Sequence, residues 1–530
     1  MHIKLIIKHC RFFGFVLIAI LLMVSLQTSA QIVFERQTNE VYPFLNRMAQ
    51  KGILTFDDLI LPLTKDKIKI GLDSIQFKIS VLSQVEKSEL AFYLNKFSTN
   101  QRNQKLAFRK NDFSFDVTPL VTVNFRKNSN ETYLQTGGGV QFYGNATKNI
   151  GFQFAFQDFT EKGDGIHFTR NRLEDGTAVG IIPYDTFSRK KINYAEVRAH
   201  INLKFKNGQL SVGQDYLTFG YGENGKIVLS DKAPTYPYVR LDYQLLPKVK
   251  FNYTHAWLHS NLVDSARSYT IPGGGFGGIR EVDISKFMAT HSLDFTLRKG
   301  LNFTIGESMI YNDRINIGYC IPILFFKAFD NYFNRGAIQK GSNGQFFISL
   351  SARNQLPNTH FYSTLLIDEI KISKIFDKRA ARNQLGYNVG ASVTDLGLPY
   401  LTMGIEYTRL RPFVYRNFLP AQNYSHAGYF LGDWMGNNSD RLLLFLKYTP
   451  LPKLKILARY QKIRKGGEGT IDQQYNQQPQ PSFLFDFKES QKDIFLQVKY
   501  EWINRLCFTS NYTHIFGGST FSTFGVTYGL

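Results

Sequence analysis

From residue 113 to the end of the chain, apolar and polar residues alternate in short segments, and this period of two constrains the fold more than any other feature of the sequence. Phe113, Phe115, Val117, Val121 and Val123 alternate with Ser114, Asp116, Thr118 and Thr122. The pattern returns at Phe152, Phe154 and Phe156, at Val249, Phe251 and Tyr253, and at Ile494, Leu496, Val498 and Tyr500. Successive side chains of a strand point to opposite faces, so each segment has one apolar and one polar face. Such segments of about ten residues fit transmembrane strands, apolar toward lipid and polar toward a lumen. A soluble sandwich alternates as well, but with its apolar face inward.

Connection lengths separate the two. Eighteen strands are expected near 113–125, 132–143, 150–159, 192–206, 209–218, 238–246, 249–259, 287–298, 301–311, 344–353, 359–370, 383–393, 399–408, 440–449, 453–463, 490–502, 506–515 and 521–530. Tight turns such as Lys206-Asn207-Gly208, Leu246-Pro247-Lys248 and Pro450-Leu451-Pro452 are interleaved with long loops at 160–191, 219–237, 260–286, 312–343, 409–439 and 464–489. Short turns at one end, long loops at the other and an even strand count describe an all-β transmembrane barrel of the outer-membrane type. Eighteen strands enclose a lumen too wide for facing side chains to fill, so something occupies it or it conducts. The apolar stretch IPILFFKAFDNYF in the 312–343 loop is expected to fold inward or to pack on another loop.

Residues 1–30 read as a signal peptide: Lys4, Lys8 and Arg11 precede the apolar run Phe12 to Leu26, and Thr28-Ser29-Ala30 offers a small-residue cleavage site. Export places the remainder in the envelope of a Gram-negative cell. Residues 31–105 carry a helical period instead, with Val41, Phe44, Leu45 and Met48 in one stripe. Ile68, Leu72, Ile75 and Ile79 follow an N-cap at Thr64, and Leu90, Leu94 and Phe97 follow Ser88 or Glu86. This helical periplasmic segment is either an independent knob or a plug against the periplasmic mouth; 106–530 form the barrel. Removing the three basic signal residues from the net charge of +21 leaves about +18. That surplus points to an acidic partner, lipopolysaccharide or polysaccharide, and export disfavours nucleic acid. Two cysteines after the signal, Cys320 and Cys507, do not make a disulfide framework.

The stretch Gly213 to Leu241 carries Gly213-Gln214-Asp215-Tyr216, Gly220, Leu229-Ser230-Asp231 and Ala233-Pro234. These residues resemble a block of the Wzi family of outer-membrane capsule-assembly proteins. His360-Phe361-Tyr362 to Asp368-Glu369-Ile370, Asn383 to Tyr387, Glu406 to Arg409 with Pro412 to Tyr415, and Asn438-Ser439-Asp440 resemble successive blocks of the same family, and Val41 to Leu45 its helical start. The resemblance implies an eighteen-stranded barrel with a helical periplasmic part, acting as a lectin that retains capsular or other exported polysaccharide without catalysing a reaction. It also leaves room for contact with polysaccharide-export machinery.

Within the Gly213 to Leu241 stretch, Gly220, Gly222 and Gly225 allow tight turning and Pro234 and Pro237 stiffen the return. Val228 and Leu229 are expected to enter the lumen with Asp231 buried beside a base, forming a constriction at the mouth. Sugars bind through aromatic faces and planar polar groups, and carboxylated sugars through Arg or Lys. Candidate contacts on the outer loops and strand tops are Tyr221, Tyr236, Arg240, Tyr319, Arg411, Tyr415, Trp434 and Arg441, with Tyr424, Arg189, Lys190, Lys191 and Arg416 beside them. Arg198, Lys204, Lys455, Arg459 and Lys499 alternate toward the lumen.

No catalytic site, metal or cofactor is expected. His255 and His259 share an outward face with Trp257, and Gly273 to Gly278 lacks the Lys-Ser/Thr of a phosphate loop. Asp57-Asp58 and Asp368-Glu369 are adjacent pairs, which on a strand point to opposite faces. The Gln- and Pro-rich 471–483 segment reads as an exposed loop. The competing function is a porin or oligosaccharide channel with an anion-favouring lumen.

Overall fold

A computed structural model describes residues 31–98, 107–128, 131–164, 191–273, 275, 277–334, 341–370 and 383–530. The signal segment, Arg189 and Lys190 lie outside the described residues.

The alternating segments form the ring of strands that the sequence predicts. In chain order the barrel strands are β1 (Phe113–Lys127), β2 (Thr132–Asn145), β3 (Ile150–Lys162), β4 (Lys191–Phe205), β5 (Gly208–Asp215) and β6 (Tyr236–Leu246). They continue as β7 (Val249–Val263), β8 (Asp283–Arg298), β9 (Leu301–Asn312), β10 (Asn343–Arg353), β11 (Thr359–Glu369) and β12 (Gln384–Thr394). The last six are β13 (Leu401–Leu410), β14 (Ser439–Leu451), β15 (Leu454–Lys465), β16 (Glu489–Ile503), β17 (Leu506–Ile515) and β18 (Thr520–Tyr528). Every neighbour is antiparallel, and β18 returns to β1 through pairs such as Val526 with Val123, which closes the barrel. An extra strand, Ala107–Lys110, pairs with the start of β1, where β18 no longer reaches.

The faces sort as the alternation requires. Val123, Phe154, Ile201, Val212, Ile348 and Leu444 stand exposed on the outer wall, whereas their polar neighbours point inward. Apolar groups exposed in this continuous belt are stable only against hydrocarbon.

The helical segment is a plug. Helices α1 (Val41–Gln50), α2 (Lys65–Gln76) and α3 (Gln84–Lys96) share one core of Val41, Phe44, Leu45, Met48, Ile68, Leu72, Ile75, Leu90 and Tyr93. Each fully buried aliphatic or aromatic side chain there contributes about 1.5–3 kcal/mol. The third helix starts earlier than Ser88: Ser83 and Glu86 form a reciprocal capping box. Ile79 leaves the stripe for an exposed single turn after α2.

Lumen-facing bases hold the plug. Lys204 meets Asp66 at 2.5 Å, Lys499 meets Glu40 at 3.2 Å, and Lys455 pairs with Glu89, which also takes Arg47. Gln50 donates to Ser392 at 2.6 Å and Lys51 reaches Asp395 at 2.7 Å. Part of the basic surplus is therefore a lumen lining matched to plug carboxylates. Cys320 and Cys507 are both free.

One loop takes a course opposite to expectation. The 313–334 segment does not fold inward; it turns down the outside of the barrel, and the ends of its loop meet Gln422 of the 411–438 loop. Its short turn Ile317–Cys320 and helix α4 (Phe326–Asn334) bury Tyr319 and Phe326 against Tyr253, Phe287, Ala289, Met309 and Tyr311, all on the outward faces of β7 to β9. The apolar stretch avoids water by covering wall rather than by entering a lumen already filled.

Candidate functional site

The lumen is filled from both ends. The 216–235 loop folds into it, and its Thr218–Phe219 pairs with Ile60–Leu61 of the plug. Gly220 donates to Leu59 O at 2.9 Å with φ +104°, a conformation that favours glycine. Gly225 (φ +145°) lies so close to Asp433 that a Cβ would fall 2.5 Å from its carboxylate. Asp57 and Asp58, in the plug's turn rather than on a strand, both engage Arg353 of β10, Asp57 at 3.0 Å. Tyr221 donates to Asp57 at 2.9 Å. Burial raises the Asp58 carboxyl and the Arg353 guanidinium outweighs it, so the group is held well below the ordinary carboxylate range. Burial, then the Asp57 charge, pushes the Tyr221 phenol well up, so it stays a donor.

The 411–438 loop closes over the 216–235 loop. Tyr415 Oη donates to Ile227 O at 2.6 Å, Tyr424 Oη to Val228 O at 2.8 Å, Trp434 Nε1 to Asn224 O at 2.7 Å, and Ser230 N to Leu431 O at 2.7 Å. Arg441 on β14 binds Asp433 at 2.9 Å and Glu406 at 3.4 Å with all three side chains fully buried. Glu406 also accepts from Tyr362 Oη at 2.8 Å and Glu223 N at 3.0 Å. Plug, two loops and wall thus form one column, with Leu217, Phe219, Val228, Leu229, Tyr236 and Tyr238 in its apolar core. Between plug and loop lies a polar chamber of about 70 Å³ beside Asp58, Lys226, His360 and Lys447.

This column absorbs most of the predicted glycan contacts. Tyr221, Tyr236, Arg240, Tyr415 and Arg441 are buried in it, with Arg240 bound to Asp242 at 2.9 Å and to Pro62 O at 3.1 Å. Trp434 is half-buried over the Arg441 guanidinium, and Arg411 is half-buried at the base of its loop. Tyr319 sits under the outer-wall segment. These rings and guanidinia are engaged inside the column rather than presented at the rim.

The family-like block is structural in the same sense. Asp215 takes Arg198 at 2.6 Å and Tyr216 N at 2.7 Å; Gly213 lies where a Cβ would fall 2.3 Å from Ala199 O. Ser230 and Pro234 are buried in the loop's return. The constriction is present, but Asp231 is half-buried rather than buried.

A different place is open to a ligand. At the loop rim, above β10 to β12, a cleft of about 310 Å³ lies between α4, the 411–438 loop and α5 (Ile471–Tyr475). Its polar side presents Lys327, Asp330, Asn331 and Asn334 of α4, with Asn343, Asp368, Arg416, Asn417 and Gln422 opposite. Phe418 and Tyr475 meet edge to face at 5.6 Å, and Tyr475 Oη accepts from Phe418 N at 3.0 Å. The walls are held internally: Gln422 donates to Asn312 and to Gly341 O, each at 2.9 Å, and Asp368 accepts Tyr415 N at 2.6 Å. Asp330 accepts Tyr319 Oη at 2.8 Å and Ser342 N at 3.0 Å. Rigid amides, carboxylates and an aromatic edge suit a polyhydroxylated ligand.

Of the predicted bases among the described residues, Arg416 alone lines this cleft. The 471–483 segment is not merely an exposed loop: Thr470 and Gln473 cap α5, and Gln474 is buried against Arg416 O at 3.2 Å. The signal for the missed residues was Lys327, Asn331 and Asn334 at helical spacing within an apolar stretch.

A closed barrel with an apolar belt, a filled lumen and a polar cleft on its loop rim defines a plugged outer-membrane barrel. A family model, "Capsule assembly protein Wzi", matches residues 91–511, and the chain belongs to that family. Among solved structures it is similar to Wzi of Escherichia coli, described as an outer membrane protein involved in group 1 capsule assembly and a carbohydrate-binding β-barrel. The identity is 12%, the match covers 94% of this chain and 100% of that one, and the TM-score is 0.59. Two further matches are OccK5 (OpdH) of Pseudomonas aeruginosa and OccAB2 of Acinetobacter baumannii. The first has 11% identity, 79% and 97% coverage and TM-score 0.42; the second has 11%, 78% and 97%, and 0.43. A sequence search of curated proteins finds no match.

Proposed function

We propose that this protein is an outer-membrane, lectin-like barrel that binds and retains exported capsular or related polysaccharide at the cell surface through the rim cleft, without catalysing a reaction. The observation that carries the reading is the separation of a lumen occupied by plug and loops from an open polar cleft on the loop side. The plug, the 216–235 loop and the 411–438 loop occupy the lumen, which weighs against a porin or oligosaccharide channel. Family membership supports the polysaccharide as ligand, and contacts with lipopolysaccharide and with export machinery extend the same reading.

The cleft predicts a specific loss. Cells carrying Asn331→Ala with Asn417→Ala retain less cell-bound polysaccharide than wild type, approaching a deletion strain, while barrel levels in the outer membrane stay unchanged. Each lost hydrogen bond is worth about 0.5–1.5 kcal/mol, so the pair lowers glycan affinity about tenfold. Cell-bound polysaccharide at wild-type levels in both strains rejects the reading.

A further inference from the structure

The outer-wall segment and the cleft share one helix. On α4, Lys327, Asn331 and Asn334 recur at i, i+4 and i+7 and face the cleft. Phe325, just before the helix, with Ala328 and Tyr332, recurs at i, i+3 and i+7 on another face, and all three are exposed. Ile317, Ile323 and Tyr332 are 80%, 84% and 87% exposed. This apolar face continues the lipid-facing wall: Phe325 packs 5.9 Å from Phe346, beside the outward Ile305, Ile348 and Leu350.

The wall beneath is adapted to being covered. His291 and Glu307 break the apolar rule on the outward faces of β8 and β9. They meet each other at 3.0 Å, His291 Nδ1 lies 2.7 Å from Pro322 O, and the Glu307 carboxylate accepts Phe326 N at 2.5 Å and Lys327 N at 3.2 Å. Tyr253 Oη donates to Tyr319 O at 2.9 Å. Such groups on a lipid-facing wall are costly unless a fixed segment satisfies them, so the 313–334 segment is a built part of the wall.

We propose that this segment lies in the outer leaflet and that the rim cleft takes the saccharide headgroup of an amphiphilic glycolipid, whose acyl chains rest on the exposed face of Ile317, Ile323, Phe325 and Tyr332. The proposal rests on the glycan reading above and specifies its ligand as lipid-linked rather than free saccharide. The helix stands at the boundary between apolar belt and polar rim, one face for each half of such a molecule, as interfacial helices do. Binding therefore adds apolar contact to headgroup hydrogen bonds. Lipopolysaccharide and a lipid-anchored exported glycan present the same chemistry.

The test has two parts. Tyr332→Trp, with the wild-type protein supplying the tryptophan background, is placed in nanodiscs of plain or brominated phosphatidylcholine. The added emission is expected to be blue-shifted and bromine-quenched; an added signal quenched by aqueous iodide instead overturns the lipid placement. Binding to the full-length mature barrel is then measured for rough-type lipopolysaccharide and for phenol-extracted cell-surface glycan, each before and after alkaline removal of acyl chains. De-acylation is expected to weaken binding of the true ligand by about tenfold or more, and which probe shows the loss identifies the source. Ile323→Ser with Tyr332→Ser removes that gain alone, whereas Lys327→Gln with Asn331→Ala weakens both forms. Equal affinity for acylated and de-acylated glycan overturns the glycolipid proposal and leaves the lectin reading standing. Absence of binding in any form overturns both.

Discussion

Replacing Arg441 by alanine will destabilise the barrel by about 3–5 kcal/mol, the range for removing one partner of a buried ion pair. The guanidinium is fully buried between Asp433 of the 411–438 loop and Glu406 of β13, and Glu406 anchors Tyr362 and the backbone of Glu223. Its loss strands two buried carboxylates and removes the link through which β13 and β14 hold both inward-folded loops. The result to expect is a lower thermal-unfolding midpoint in detergent and new protease cleavage within 411–438 in the otherwise intact barrel. Arg441→Lys keeps the charge but not the two-sided fork, so it recovers only part of the loss. An unchanged midpoint and cleavage pattern for Arg441→Ala would mean that the column is not held this way.

Arg353→Ala will loosen the plug. Arg353 is buried, and its partners Asp57 and Asp58 are about one-fifth exposed at 20% and 21%. The expected cost is therefore discounted to about 2–3 kcal/mol. That raises the population of the undocked plug about 30- to 150-fold. In planar bilayers the wild type stays nearly silent, and the variant shows discrete openings. The pH dependence follows from Asp58, whose folded carboxyl is held below its ordinary range. Its stabilisation is complete above the ordinary carboxylate pKa of about 4 and declines as pH falls below that value toward the depressed folded pKa. Acidification of the wild type below about pH 4 therefore produces openings of the same kind, and the Asp58 share of that acid response is missing from Arg353→Ala.

The strands, their number and the inward direction of Arg198, Lys204, Lys455 and Lys499 were legible because a strand's period of two ties every residue to one face. The helices were legible for the parallel reason at Val41 to Met48 and Ile68 to Ile75. What the sequence left open was where apolar loops go, since three destinations hide such residues equally well. Val228 and Leu229 entered the lumen, as expected, whereas Tyr319 and Phe326 went to the outer wall. His255, His291 and Glu307, polar on an outward face, marked that wall as covered, and they do so only once the register is known. The aromatic and basic residues chosen for a glycan are largely buried for a related reason. Tyr221, Tyr236, Tyr415 and Arg441 have the right chemistry for sugars, but the same chemistry joins loops inside a wide lumen. The proposed cleft instead presents Asn331 and Asn417, short amides brought together by two separate loops.

The most direct test of the central claim is calorimetric titration of the purified barrel with the surface glycan of its own cells, comparing wild type with Asn331→Ala/Asn417→Ala and with Tyr221→Phe. A glycan held in the rim cleft predicts saturable binding by wild type, about tenfold weaker binding by the cleft variant and unchanged binding by Tyr221→Phe, whose ring stays buried in the column. Loss of binding in Tyr221→Phe with the cleft variant unaffected would place the glycan in the lumen and contradict the account.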